Sequence, residues 1–68
     1  MLLKEFVTKN QNVRHWSIYN HKGKQIAMTY GDILLELCDS EKCFKKAVDE
    51  VCFKSDDFVR IQLLSRRY

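Results

Sequence analysis

Only Gly23 and Gly31 let this 68-residue backbone break easily, because the chain contains no proline. Its turns must therefore come from polar clusters, and everything between them is free to form regular structure. Those clusters are Lys9-Asn10-Gln11-Asn12, Asn20-His21-Lys22-Gly23 and Lys54-Ser55-Asp56-Asp57. A chain this short makes a single compact domain, residues 1–68, and buries about 60% of the surface its unfolded form exposes. At 46% hydrophobic and 31% charged residues it is globular in composition, without a linker, repeat or low-complexity stretch.

Alternation dominates the first half. Val13–Asn20 places Trp16 and Ile18 on one face and His15, Ser17 and Tyr19 on the other, with the β-branched and aromatic content that strands favour. Gln25–Tyr30 returns with Ile26, Met28 and Tyr30 on one face, and the Asn20–Gly23 turn relies on positive φ at Gly23. Leu2–Thr8 is expected as a preceding strand. Gly31-Asp32 fits a two-residue type II′ hairpin loop, which makes Ile33–Cys38 a fourth strand with Ile33, Leu35 and Leu37 on one face. The rival reading makes Asp32 a helix N-cap, with Leu34, Leu37 and Cys38 at helical spacing. The strand is preferred.

From Asp39 the period lengthens to that of a helix. Asp39 or Ser40 is the expected cap, and Phe44, Ala47, Val48 and Val51 form the apolar face opposite Lys42, Lys45, Lys46, Asp49 and Glu50. Phe58–Ser65 then alternates with Val59, Ile61 and Leu63 inward. The expected fold is α+β: a small antiparallel sheet (β-β-β-β-α-β) with one amphipathic helix packed on one face and the other face open.

Formal charge is sorted along the chain. Residues 1–31 carry +4, residues 32–57 carry −4, and Arg60, Arg66 and Arg67 restore the total of +3. Such sorting suits an oriented contact with a charged partner. Asp56 and Asp57 are adjacent carboxylates in a loop with no evident structural task; with Tyr19 and His21 they are the candidate protein-binding residues. The alternative ligand is nucleic acid, which wants cations for its phosphates and flat rings for its bases. For it the candidates are Arg14, His15, Tyr19, Lys22 and Lys24 on the hairpin, with Arg66 and Arg67 near the C-terminus. A net charge of +3 is modest for such a module.

Catalysis and metal binding find no supporting pattern, so no enzyme, metal or cofactor is expected. Cys38, Cys43 and Cys52 are an odd number, which cannot close a disulfide framework, and they read as reduced thiols. Cys38 and Cys43 alone approach zinc spacing, while Cys43 and Cys52 on the expected helix stand about 13 Å apart along its axis, too far for one ion or one disulfide. A thiol nucleophile needs a base, and no spacing brings His15 or His21 to Cys38. Phosphate-cradling glycines are absent, and so small a chain struggles to enclose a ligand pocket of a few hundred Å³.

The longest aliphatic run, Ile33-Leu34-Leu35, is far short of the ~20 residues that span a bilayer. Lys4 and Glu5 directly after Leu2-Leu3 argue against a secretory signal, so a cytoplasmic protein without a membrane partner is expected. Sheet edges without proline invite pairing with another chain, a homodimer included. The expected function is that of a non-enzymatic modulator, inhibitor or adaptor acting through protein–protein contacts. Its lysine-, asparagine- and tyrosine-bearing, proline-free composition suits an accessory protein of a virus or mobile element.

Overall fold

A computed structural model describes the backbone of residues 1–67 and the side chains of residues 1–65. The hairpin that alternation predicts is present as β1 (His15–Tyr19) and β2 (Gln25–Tyr30), paired antiparallel. Asn20 organises its turn: the side-chain oxygen accepts from the backbone N–H groups of Lys22 and Lys24 at 2.9 and 3.0 Å, and Gly23 takes φ +82°. One residue departs from the alternation. Ile18 opposes Ala27 and Tyr19 opposes Gln25, so Ile26 is the extra residue of a bulge. It therefore leaves the face of Met28 and Tyr30 and packs against the core, as Ala27 does.

Residues Leu2–Thr8, expected as a strand, instead contribute helix α1 (Leu3–Lys9). Leu3, Phe6 and Val7 recur at i, i+3 and i+4, and Leu3 and Val7 are fully buried. Both ends are closed by side chains. The Glu5 carboxylate accepts from the Leu2 N–H at 3.1 Å, and the Asn10 amide donates to the Phe6 carbonyl at 2.9 Å.

Ile33–Cys38 is also helical, inside α2 (Gly31–Ser40), so the rival spacing was the physical one. Leu34 and Cys38 are buried, whereas Ile33, inward in a strand, is 44% exposed. Tyr30 takes the N-cap position, and Asp32 lies in the first turn, where its charge complements the helix dipole. Gly31 lacks the positive φ of a type II′ loop. It makes room for Trp16 instead, since a Cβ there would stand 3.2 Å from the indole Nε1.

The helix expected from Asp39 onward does not form. After α2 comes one 3₁₀ turn, Lys42–Phe44, and then β3 (Lys46–Ser55), which pairs antiparallel with β4 (Phe58–Arg67). This stretch carries two periods at once. Phe44, Ala47, Val48 and Val51 have helical spacing, but Val51 and Phe53 also alternate with Glu50 and Cys52. Pairing decides between them, because Val48, Val51 and Phe53 stand opposite Leu63, Ile61 and Val59. The axial separation of Cys43 and Cys52 falls with the helix. Cys43 lies in the 3₁₀ turn and Cys52 in β3, both exposed.

β4 also runs parallel to β1, from His15 opposite Phe58 to Tyr19 opposite Gln62. The sheet is therefore mixed, in the order β2-β1-β4-β3, rather than wholly antiparallel. Among the described residues two helices, not one, cover one of its faces. Trp16, Ile18, Val59, Ile61 and Leu63 point at them and meet Leu3, Val7, Leu34, Cys38 and Phe44 in one core. The Trp16 indole donates to the Val13 carbonyl at 3.1 Å and meets Phe6 edge to face at 5.9 Å. The α+β class stands, with helix and strand exchanged in the segments described.

Candidate binding face of the sheet

Because Trp16, Ile18, Val59, Ile61 and Leu63 point under the helices, the residues between them point away. Those are His15, Ser17 and Tyr19 on β1 and Phe58, Arg60 and Gln62 on β4. β2 adds Met28, 61% exposed, and Tyr30, 51% exposed, while β3 adds Glu50 and Cys52.

Strand register sorts these side chains into rows. Tyr30, His15 and Phe58 make the first, with ring centroids 5.1 Å apart for His15 and Tyr30 and 6.3 Å for His15 and Phe58. Met28, Ser17, Arg60 and Cys52 make the second. Ser17 is buried within it, and its hydroxyl accepts from the Gln25 amide at 2.9 Å. In the third row the Tyr19 ring lies under the Arg60 guanidinium, 4.1 Å from centroid to Cζ. That stacking holds the long arginine side chain over the middle of the face. Arg60 also walls a shallow depression of about 240 Å³ with Glu50, Cys52 and Gln62.

At the Tyr30 end the face meets an open groove of about 550 Å³, walled by Gln11, Asn12, Arg14, Tyr30, Asp32 and Leu35 among others. The concavity is of ligand size but lies open between loop and helix.

The sequence-derived candidates do not converge. Asp56 and Asp57 form the β3–β4 turn, at the His15 end of β1, whereas Tyr19 and His21 lie at its other end. Asp57 also has the structural task that the sequence did not disclose. Its carbonyl accepts from the N–H groups of Arg14 and His15 at 3.0 and 2.8 Å, and its carboxylate accepts from the Ser55 hydroxyl at 3.0 Å. The nucleic-acid candidates divide in the same way: Arg14 and His15 adjoin the acidic turn, while Lys22 and Lys24 occupy the far turn. The side chains of Arg66 and Arg67 lie outside the described residues. Sequence reasoning missed Met28, Tyr30, Phe58 and Arg60 as site residues. A signal was present for Phe58 and Arg60, which alternate with the inward Val59 and Ile61, and for Met28 and Tyr30, which share one face of their strand.

The sorted charges partly meet within the molecule. Lys4 of α1 pairs with Asp39 of α2, and that hydrogen bond and charge raise the lysine's pKa. Both side chains are more than half exposed, so water screens the contact. Cys38 is the buried thiol. Burial first, then the neighbouring Asp39 charge, raises its pKa to about 11, which keeps it protonated and unreactive at neutral pH. Among the described residues no three His, Cys, Asp or Glu side chains are grouped to hold a metal ion. No helix there is long and apolar enough to cross a membrane.

No family model matches the chain, and comparison with curated proteins and with solved structures found no match to either.

Proposed function

We propose that this chain is a non-enzymatic binding protein, a modulator, inhibitor or adaptor, that takes a protein partner on the open face of its sheet. The observation that carries the reading is the row of Tyr30, His15 and Phe58, exposed or half-buried, with exposed Met28 and the stacked Arg60 in the row beside it. Protein interfaces concentrate binding energy in side chains of this kind, seated beside shallow pockets that exclude water. Three free cysteines suit work in a reducing compartment, the cytoplasm.

A second reading has one observation in its favour. Flat rings on an open sheet with an arginine among them are also what single-stranded nucleic acid stacks on. Among the described side chains the cations do not gather to serve it, because Arg14 adjoins the Asp56–Asp57 turn while Lys22 and Lys24 lie at the far end of the hairpin.

Capture of the tagged protein from lysate of its source, with and without nuclease, separates the two. The protein reading expects a stoichiometric polypeptide that survives nuclease, with affinity reduced roughly 30-fold by Tyr30→Ala or Arg60→Ala. A ligand that vanishes with nuclease and binds with a steep salt dependence assigns the face to nucleic acid. A partner held equally well by both variants removes the open face from the account.

A further inference from the structure

We infer that β3 is a self-pairing edge, and that two copies of this chain join through it into one continuous eight-stranded sheet. The inference concerns the margin of the sheet, where Glu50 and Cys52 border the open face, and it does not rest on the proposed function.

β3 lies at the margin of the sheet. The chain covers the first part of its outer edge, where Leu2 bridges Ala47 and the Val48 N–H donates to the Met1 carbonyl at 2.8 Å. Beyond Val48 the outer edge has no strand partner among the described residues. Between two irregularities lies a regular run, Glu50–Phe53, in which every residue is exposed. Val51 and Phe53 are 38% and 56% exposed although they point to the helix side, because the helices do not reach that far along β3. An exposed edge strand with bare apolar side chains is a template for another strand.

The occupant is specified by the pattern of the strand itself. Placed antiparallel on its own copy about a two-fold axis at Cys52, the regular run sets Val51 opposite Phe53 of the second copy and brings Glu50 to its Lys54, the residue at the irregularity that follows Phe53. Each pair occurs twice, so two opposite-charge pairs lie on one side of the joint and two apolar pairs on the other. Moving the axis to Val51 sets Asp49 against Phe53, and moving it to Phe53 sets Glu50 against Asp56. Only the register centred on Cys52 matches charge with charge and apolar with apolar. β2, the opposite margin, carries no charged residue from Gln25 to Tyr30 and has no such code. The two-fold axis stands normal to the sheet, so both open faces point the same way and form one bivalent surface.

The test is the mass in solution as concentration rises, read by light scattering, with a cysteine cross-link as reporter of register. The inference expects a transition from 8.1 kDa to twice that mass. Phe53→Lys is expected to abolish it, and Glu50→Lys to weaken it at least about tenfold by setting like charges opposite. The double exchange Glu50→Lys with Lys54→Glu is expected to restore it, which a general loss of folding could not do. Antiparallel neighbours place Cα atoms about 4.5–5.5 Å apart, within disulfide reach. Diamide, which accepts the two protons and two electrons of the thiol pair, is therefore expected to cross-link the dimer through Cys52, with Cys43→Ser unaffected and Cys52→Ser inert. A chain that stays monomeric at millimolar concentration would overturn the inference. So would a dimer indifferent to Phe53→Lys and to the charge exchange, or one cross-linked through Cys43.

Discussion

Cys38 shows how little a residue's chemistry follows from its type. Three thiols occupy this chain, yet Cys43 and Cys52 are exposed while Cys38 closes the core beside Leu34 and Phe44. Burial holds its proton until about pH 11, against 9.0 for an ordinary thiol. Between those values the unfolded chain has lost the proton and the native one has kept it. The unfolded state then binds fewer protons, so stability is flat below pH 9 and falls as the pH rises toward 11. Urea unfolding at pH 7.5 and 10.5 is expected to show a larger loss for the native sequence than for Cys38→Ala. An equal loss in both would mean that this thiol ionises as freely in the folded protein as in the unfolded one. Native alkylation gives the same contrast, with Cys38 unlabelled until denaturant is added.

At the scale of elements, two residues separate helix from strand in α2. The helix buries Leu34 and leaves Ile33 largely in water. Leu34→Ala is expected to cost about 2–5 kcal/mol, enough to unfold much of so small a domain, while Ile33→Ala stays within about 1 kcal/mol. Thermal melts of the two variants check this, and the reverse order would restore the strand. That ambiguity also explains what could be read from the sequence. β1, β2 and the inward face of β4 were legible because Trp16/Ile18 and Val59/Ile61/Leu63 alternate cleanly beside turns with suitable chemistry. Leu2–Thr8 and Ile33–Cys38, expected as strands, contribute to helices, because in short apolar runs such as Ile33-Leu34-Leu35 both periods find matches. Lys46–Ser55 failed in the opposite sense. Its helical spacing is genuine, but the partner strand that overrides it lies several residues later. The same locality hid part of the site: the hairpin alone brings Tyr30 to His15, but Phe58 joins them only when β4 lies parallel to β1, a pairing that no window of sequence contains.

Across the whole molecule, the sorted charge of the sequence does not become two poles. Lys4 meets Asp39, the Arg14 backbone lies beside the acidic Asp56–Asp57 turn, and the lysines of the hairpin tip stand at the other end of β1. What the fold does segregate is covering. Both helices take one side of the sheet, and an aromatic row and a stacked arginine are left on the other, with a groove between loop and helix at the row's end. The binding reading rests on that asymmetry, and side-chain footprinting tests it most directly. Hydroxyl radicals are applied to the protein at fixed concentration, with and without its captured partner. The account predicts loss of oxidation at Met28, Tyr30, His15 and Phe58 on binding, with Met1 and Ile33 unchanged. Protection of Met1 and Ile33 with Met28 and Tyr30 still oxidised would contradict it, and would move the contact to the helical side.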